Sequence, residues 1–346
     1  MSKTLALEVK NLSVEFDTYG GVVKAVRDVS FQLNKGETLA IVGESGCGKS
    51  VTVQSIMGLI PTPPGRITSG SAKLDGEEML GLPTKLLNQY RGKRISMIFQ
   101  DAMSAMNPTM TVGKQIAETL VVHQNLSRRQ AMKEAVDLLA RTKIPEPEQR
   151  AKQYPFEFSG GMLQRAMIAM SIACKPEVLI ADEPTTALDV TIQAQILNLL
   201  QDLQKEYELS IVLITHDLGV VAKMAHQVAV MYAGQIVEMG EIDDIFYHSR
   251  HPYTAGLKAA MPSNKAHEQD LKVIEGSPPD LFSPPKGCGF CARCDYAMSI
   301  CEQRPTPKFQ ISGDHYAHCW LLHPEAPKSE RQKLDSFMKS ERSDVT

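Results

Sequence analysis

An α/β fold is predicted by three features of the amino-acid sequence. After residue 165, short and almost wholly apolar runs such as VLIAD, SIVLIT and QVAVMY alternate with helix-length segments, and parallel strands covered on both faces are typically apolar along their whole length. A glycine-rich loop, GESGCGKS, lies directly between the apolar run TLAIV and a helix-like segment. The chain has 346 residues, of which 43% are hydrophobic and 22% charged, so it is long enough for two or three folded units.

The first half of the chain predicts two different parts around this core. The runs LEVKNLSVEF and AVRDVSFQL alternate as strands do and predict an antiparallel β subdomain. A helix is predicted at about Lys49–Ile60, because Pro61 cannot continue it. Further along, SRRQAMKEAVDLLARTKI is an amphipathic helix candidate with Ser127 as its N-cap. We therefore expect a helical subdomain at about residues 105–165.

A change of composition marks the C-terminal part. From about Ile245 the chain becomes rich in proline, glycine and histidine, and GSPPDLFSPPKGCG is the clearest break. We expect a main domain over residues 1–245 and a smaller C-terminal extension over residues 246–325. The last segment, residues 326–346, is polar and is expected to be a disordered tail.

Charge and hydropathy disfavour several classes of protein. The net charge is −3 and the sequence pI is about 6.3, so there is no electrostatic reason to expect a nucleic-acid partner. No apolar run approaches the length of about 18 residues that a membrane helix needs, and the first residues show no signal-peptide pattern. We expect a cytoplasmic protein without a disulfide framework, in which Cys47 and Cys174 are small buried side chains.

The loop GESGCGKS (Gly43–Ser50), called the phosphate loop below, fits the pattern G-x-x-x-x-G-K-[ST]. Its glycines allow successive N–H groups to curl around phosphate oxygens, and the following helix adds partial positive charge at its N-terminus. Lys49 is expected to reach the outer phosphates of a nucleotide. The hydroxyl of Ser50 is expected to bind Mg²⁺.

Acidic residues at the end of a buried strand complete this predicted site. Asp182 and Glu183 end VLIADE, where carboxylates are costly unless a cation is near. Asp182 suits the shell of Mg²⁺, and Glu183 could polarise a water for attack on the terminal phosphate. His216 follows the buried run SIVLIT and could sense the same phosphate.

A second helix start carries small anion-binding residues. FSGGMLQR places Ser159, Gly160 and Gly161 at the beginning of a helix, where N–H groups favour an anion. A helix cap alone explains the serine but not the two glycines, which weaken a helix. Since the phosphate loop is already a complete cradle, we expect this helix start to cover a nucleotide held by a second subunit.

Five of the seven cysteines lie close together in the extension. Their spacing is Cys288-x2-Cys291-x2-Cys294-x6-Cys301-x17-Cys319. Thiols this close in a cytosolic protein usually share a metal. Thiolate sites suit either zinc or an iron–sulfur cluster, and the spacing alone leaves both open.

In this order, these elements resemble the nucleotide-binding subunit of an ABC transporter. GESGCGKS resembles its Walker A loop, MIFQD its Q-loop, VLIADE its Walker B strand and TALD (Thr186–Asp189) its D-loop. FSGGM departs from the usual signature LSGGQ, because a methionine cannot donate the hydrogen bond of a glutamine; the same variant is familiar in peptide-importer subunits. The resemblance implies an ABC-type ATPase domain over residues 1–245 and a head-to-tail dimer with ATP between each Walker A loop and the opposite signature.

The resemblance also implies roles for individual residues. The implied catalytic residues are Glu183, His216 and Gln100. The implied Mg²⁺ ligands are Ser50, Gln100 and Asp182. The implied nucleotide contacts are Phe16, Gly43, Ser45, Gly46, Cys47, Gly48, Lys49, Ser50, Val51, Ser159, Gly160, Gly161 and Asp189. Tyr19 is the alternative to Phe16 for the aromatic ring that stacks on adenine.

A narrower resemblance is to the ATPase subunit of oligopeptide and dipeptide importers. It is carried by FQDAMSAMNP, IADEPTTALDVTIQAQI, MYAGQIVE, HPYT and GCGFCARCDYAMSIC. It implies a heterodimer with a second, homologous ATPase beneath two transmembrane permeases, at the cytoplasmic face of the membrane, fed by an extracellular peptide-binding protein. Residues 101–110 would meet a permease, although their methionine-rich sequence equally suits a local core.

Members of this group with such an extension carry a [4Fe–4S] cluster. The resemblance implies Cys288, Cys294, Cys301 and Cys319 as its ligands, with zinc as the alternative metal. Cys291 is not needed by that pattern. We expect a structural role for the cluster, since the extension is too short for a large core.

Other functions are less well supported by the sequence. A nickel or glycoside importer is the nearest alternative, because substrate selection lies in other chains. ABC ATPases that act on DNA insert a long coiled coil before the signature, whereas only 108 residues separate Ser50 from Ser159. A module that uses ATP only as a clamp is disfavoured by the presence of Glu183 and Lys49.

Overall fold

The structure of the chain is a computed structural model and describes residues 4–186, 188–261 and 274–342. Three predicted features therefore lie partly outside the described residues: the D-loop at Ala187, the extension at residues 262–273 and the tail at residues 343–346. The described residues form two compact units. The first unit falls in the ranges Met1–Glu8, Gln32–Thr38 and Ala72–Thr215, and the second in Val9–Phe31, Leu39–Ser71 and His216–Thr346.

Strands and helices alternate through most of the described chain. The strands are β1 (Leu5–Thr18), β2 (Gly21–Asn34), β3 (Thr38–Val42), β4 (Gly65–Leu74), β5 (Glu77–Glu78), β6 (Ile95–Ile98), β7 (Val178–Asp182), β8 (Ser210–Thr215), β9 (Gln227–Tyr232), β10 (Gln235–Glu241), β11 (Phe309–Ser312) and β12 (His315–Ala317). The α-helices are α1 (Lys49–Ile56), α2 (Thr84–Tyr90), α3 (Ala102–Ala105), α4 (Val112–Gln124), α5 (Arg128–Arg141), α6 (Pro147–Arg150), α7 (Gly160–Ile172), α8 (Val190–Tyr207), α9 (Leu218–Met224), α10 (Ile242–His248), α11 (Pro252–Ala259), α12 (Ser299–Gln303) and α13 (Lys328–Arg342).

The first unit contains the parallel strands β6, β7 and β8. Ile180 in the central strand β7 pairs with Met97 of β6 and with Val212 of β8. All residues of β7 are buried, which agrees with the wholly apolar run that predicted it. The predicted helical region holds α4, α5 and α6, and α5 begins at Ser127 with a complete capping box to Gln130. The predicted N-cap is therefore confirmed.

The second unit contains antiparallel strands and one parallel pair. Within it β1, β2 and β4 lie side by side: the Asn11 N–H donates to Ser30 Oγ at 2.8 Å and the Thr68 hydroxyl donates to Ser13 O at 3.3 Å. Strand β3 pairs in parallel with β9, and β9 continues through β10 and β12 to β11 in antiparallel pairs. Because β3 leads directly into the phosphate loop, this pairing positions the loop at the carboxyl end of a buried strand.

Two predicted boundaries differ from the structure. Helix α1 ends at Ile56 rather than Ile60, because Gly58 takes a left-handed conformation (φ 63°) and the Leu59 N–H donates to Gln54 O at 2.7 Å, which is a glycine-terminated helix end. The predicted disordered tail instead contains α13. Leu334 of this helix is only 5% exposed and packs in a cluster with Leu321, so burial of an apolar side chain stabilises the helix.

Among the described residues, no helix combines the length and apolar character that crossing a bilayer requires. The boundary near residue 245, which was placed by composition, stays a prediction.

Candidate functional site

The phosphate loop has a backbone shape that only glycine permits at two positions. Gly43 has φ 153°, and a Cβ there would lie 2.1 Å from the Met231 carbonyl oxygen. Gly48 has φ 103°, precedes helix α1, and would place a Cβ 2.4 Å from the Ala25 carbonyl oxygen. Larger residues would displace the loop from the strands below it. The motif is therefore formed by tertiary packing as well as by the turn itself.

The lysine of the phosphate loop holds the loop in shape. Lys49 Nζ donates to Gly43 O at 2.8 Å and to Glu44 O at 3.0 Å, and the residue is 5% exposed. Ser45 and Gly46 are exposed at the outer turn of the loop. Cys47 is buried, as predicted, and Ser50 and Val51 are half-buried in the first turn of α1.

The acidic residues lie at the end of β7, in the first unit. Asp182 is the last residue of the strand and is 3% exposed. Glu183 follows with a left-handed backbone (φ 47°), held by the hydrogen bond from its N–H to Ile214 O at 2.9 Å. A non-glycine residue in this region is strained by about 1–3 kcal/mol, and such strain is often found at functional positions.

Two donors orient the side chain of Glu183. Gln100 Nε2 and Thr186 Oγ1 each donate to Glu183 Oε2 at 2.9 Å. Gln100 and Glu183, which were predicted separately as catalytic residues, are thus brought together within this unit. The role of Thr186 was not predicted, although its position three residues after Glu183 in a tight turn is a signal that could have found it.

The signature residues form the exposed start of helix α7. Ser159 Oγ accepts from the Met162 N–H at 3.4 Å as the N-cap, and Ser159 and Gly160 are exposed. A Cβ on Gly161 would lie 2.8 Å from Ile192 Cγ2 of α8. The second glycine is therefore explained by packing, which the sequence interpretation had assigned to anion binding alone. Phe158 is 7% exposed, so the first signature position is an apolar anchor.

The other predicted residues lie at helix and strand ends. Asp189 Oδ1 accepts from the Ile192 N–H at 2.9 Å and caps α8. His216 directly follows β8 and is exposed. Phe16 is half-buried and packs on Gly65, while Tyr19 is fully exposed.

The predicted nucleotide residues divide between the two units. In the first unit are Gln100, Ser159, Gly160, Gly161, Asp182, Glu183 and Asp189; in the second are Phe16, residues 43–51 and His216. Their convergence on one nucleotide stays a prediction.

Comparisons with known proteins show the family of this chain. The family profile described as "ABC transporter" matches residues 26–186, and the profile "Oligopeptide/dipeptide transporter, C-terminal region" matches residues 237–301. The oligopeptide transport ATP-binding protein OppD of Bacillus subtilis (strain 168) is 58% identical over 328 residues, which cover 94% of this chain and 92% of that protein. The chain belongs to the ABC transporter ATP-binding proteins.

Further relatives of this ABC ATP-binding protein support the same assignment. The dipeptide transport ATP-binding protein DppD of Bacillus subtilis (strain 168) is 54% identical, with 92% of this chain and 96% of that protein covered. The solved structure of the ATP-binding cassette MJ0796, a dimer bound to ADP and Pi, matches with a TM-score of 0.62 and 26% identity, over 68% of this chain and 98% of that one. The predicted fold and ATPase activity are therefore confirmed: this protein binds ATP with Mg²⁺ and hydrolyses it.

Five of the seven cysteines of this ABC ATP-binding protein lie together in the second unit. Those at positions 288, 291, 294, 301 and 319 all line one cavity of about 20 Å³. The loop between Cys288 and Cys301, called the cysteine loop below, is closed by the Cys288 N–H, which donates to Cys301 O at 2.7 Å. Within the described ranges, no three Cys, His, Asp or Glu side chains are grouped closely enough to hold a metal ion.

Burial raises the pKa values of the thiols of Cys291, Cys294 and Cys319. It raises the pKa of Cys294 to about 12 and that of Cys291 to about 11, and it raises the pKa of Cys319 well above the ordinary value. A buried thiolate is unfavourable unless a cation compensates its charge. The described residues do not show the predicted metal site of these cysteines, and it stays a proposal.

Proposed function

We propose that this chain is the ATPase subunit of an importer for oligopeptides or dipeptides. The observation that carries the hydrolytic part is the geometry at the end of β7, where Gln100 and Thr186 both donate to Glu183 Oε2 at 2.9 Å. The peptide substrate is supported by the match of residues 237–301 to the C-terminal region of oligopeptide and dipeptide transporters. It is also supported by the identity with the two Bacillus subtilis proteins.

The phosphate loop and helix α1 provide the binding step in this proposal. The glycine N–H groups and Lys49 hold the phosphates of ATP. The ligands proposed for Mg²⁺ are the hydroxyl of Ser50, the amide oxygen of Gln100 and the carboxylate of Asp182, which are the hard oxygen donors that Mg²⁺ prefers. Bound Mg²⁺ neutralises charge on the phosphate oxygens.

Glu183 acts in the hydrolytic step as the group that orients and polarises water. Gln100 and Thr186 fix the orientation of its carboxylate by donating to Oε2. If Gln100 moved to bind Mg²⁺, Oε2 would lose one donor and could accept a hydrogen bond from the attacking water instead. His216 contacts the terminal phosphate in this proposal.

A second ATPase subunit completes the assembly that we propose. Ser159 and Gly160 are exposed at the start of α7, so they are accessible to a nucleotide held by the partner. The partner is a homologous ATPase in a heterodimer, at the cytoplasmic face of a membrane that contains two permeases. An extracellular peptide-binding protein delivers the substrate.

The contact with a permease is assigned to residues 101–110. Asp101 caps helix α3 by accepting from the Met103 N–H at 2.9 Å, and Met103 is 49% exposed. Since this segment directly follows Gln100, movement of the glutamine would be transmitted to the surface that meets the permease. The alternative is that this segment only packs against the local core. Met106, which is 2% exposed, agrees with that alternative, whereas the exposed Met103 does not.

The extension is proposed to hold a [4Fe–4S] cluster through Cys288, Cys294, Cys301 and Cys319. Such a cluster would tie the loop from Cys288 to Cys301 to Cys319 of the same extension. Each cluster cysteine binds its own iron, whereas one zinc ion needs all its sulfurs within about 2.3 Å of a single point. The observation that supports a shared group is that all four thiols line one cavity.

Transport measurements test the proposed function. In a strain that lacks this chain, uptake of labelled dipeptides and oligopeptides should be lost, and a plasmid copy should restore it. A copy with Glu183→Gln should not restore uptake, while one with the exposed Lys73→Ala should. Normal peptide uptake in the deletion strain, with loss of nickel or glycoside uptake instead, would contradict the peptide assignment but leave the ATPase assignment intact.

A further inference from the structure

Glu44, the second residue of the phosphate loop, is held by residues from the C-terminal part of the chain. Its N–H donates to Tyr253 Oη at 2.9 Å. Its carboxylate accepts two hydrogen bonds from Arg293, at 2.7 Å to Oε2 and 3.0 Å to Oε1. This paired geometry is the strongest form of an arginine–carboxylate contact. Both Tyr253 and Arg293 lie more than 200 residues away in sequence.

Arg293 is itself held from several directions. Its Nε donates to Glu275 O at 2.8 Å, and its guanidinium also donates to Ile274 O at 3.0 Å and to Tyr232 Oη at 3.2 Å. The side chain is 6% exposed, and its charge lies 6.0 Å from the centre of the Phe290 ring. An arginine held in this way has a single position, so the carboxylate that it binds has one as well.

We propose that Arg293, with Tyr253, positions the phosphate loop for nucleotide binding by neutralising and holding Glu44. A carboxylate in a loop that receives a triphosphate would repel it. Arg293 compensates that charge with a buried cation and keeps the carboxylate turned toward the extension. This inference rests on the proposed role of Gly43–Ser50 in holding phosphates.

The position of Arg293 in the chain connects two sites. It lies in the cysteine loop between Cys291 and Cys294, and its N–H donates to Phe290 O at 3.0 Å. A change in the shape of the cysteine loop therefore moves the guanidinium away from Glu44. By linkage, whatever stabilises the cysteine loop also favours nucleotide binding, and nucleotide binding favours that loop.

The affinity of the purified full-length chain for a fluorescent ATP analogue with Mg²⁺ tests this inference. Arg293→Gln should raise the Kd on the order of tenfold, because it leaves a carboxylate unpaired beside the phosphates. Arg304→Gln, which changes an exposed arginine of the same extension, should leave the Kd unchanged. The double variant Glu44→Gln with Arg293→Gln should bind within about threefold of wild type, because removing both charges removes the repulsion.

The double variant distinguishes a loss of loop positioning from a loss of folding. If Arg293→Gln binds within twofold of wild type, or if the double variant binds as weakly as the single one, the inference is wrong. If Arg293→Gln does not fold, Tyr253→Phe decides: it should raise the Kd severalfold, and an unchanged Kd would contradict the inference. Lys49→Ala is measured in parallel. If this variant has an unchanged Kd, the assignment of the phosphate loop itself is wrong.

Discussion

The phosphate loop and the cysteine loop are both short turns of the second unit, but different interactions hold them. The phosphate loop is held by protein groups, since Lys49 donates to Gly43 O and Glu44 O and Arg293 donates to the Glu44 carboxylate. The cysteine loop is closed by a backbone hydrogen bond at its base, while its thiols line a cavity, and burial raises the pKa values of Cys288, Cys291 and Cys294. The shape of a loop that is held by protein groups can be predicted from a sequence motif. For a loop whose shape depends on what its side chains bind, the sequence predicts only the position of the loop.

Replacing the lysine of the phosphate loop should have the largest effect. Lys49→Ala removes two hydrogen bonds inside the loop as well as the cation for the phosphates, so ATP affinity and ATPase rate should fall at least about 100-fold. The measurements are the Kd of an ATP analogue and steady-state phosphate release. Lys73→Ala, at an exposed position of β4, is the matched control. If Lys49→Ala keeps its affinity for ATP, the phosphate loop is not the phosphate site, and its comparison with the cysteine loop fails.

Replacing the acidic residue after β7 should separate binding from hydrolysis. Glu183→Gln should lower the ATPase rate of the assembled complex at least about 100-fold while ATP affinity is retained, because the group acts on water rather than on the phosphates. Thr186→Val removes one of the two donors to the same oxygen and should lower the rate less. If Glu183→Gln leaves the turnover unchanged, another residue has the catalytic role.

Replacing a thiol of the cysteine loop should destabilise the chain without abolishing ATP binding. Cys294→Ser should lower the unfolding temperature by about 5 °C or more, because it removes one of the four ligands proposed for the cluster that ties the extension. It should also weaken ATP binding severalfold through Arg293. Cys174→Ser, in the half-buried thiol outside the cluster, is the control. If Cys294→Ser has a normal unfolding temperature and normal peptide uptake, the thiols do not stabilise the cysteine loop.

A histidine of the first unit provides the smallest expected effect. Burial, and secondarily the charge of Lys93, lowers the pKa of His123 below its ordinary value of 6.5. The unfolded chain therefore binds more protons than the folded chain below pH 6.5, and stability falls as the pH decreases through that range. His123→Gln should reduce this slope by less than about 1 kcal/mol per pH unit, measured by urea unfolding at pH 7.5, 6.5 and 5.5, roughly spanning the transition. An unchanged slope would show that the imidazole stays equally accessible in both states.

The sequence predicted those features that depend on residues close together in the chain. The phosphate loop, the position of Asp182 at the end of a buried strand and the cap at Ser127 follow from local patterns. The five cysteines were predicted to lie together, and the structure brings them to one cavity. These predictions needed no knowledge of how distant segments pack.

Features that depend on distant packing were missed. The contact of Arg293 with Glu44 joins residues 249 apart, and no local pattern indicates it. Helix α13 was expected to be disordered because its sequence is polar, yet burial of Leu334 holds it. The early end of α1 could have been predicted, since Gly58 is a typical residue for a helix C-terminus.

The metal content of the chain tests the central contrast most directly, because it measures whether the cysteine loop depends on a bound group. Protein purified without oxygen should contain about four irons and four sulfides per chain, with a broad absorption band near roughly 400 nm. The same measurement on Cys294→Ser should show loss of both iron and sulfide. Protein that is stable and fully active without iron, sulfide or zinc would contradict the account, because the cysteine loop would then be held by protein groups alone, as the phosphate loop is.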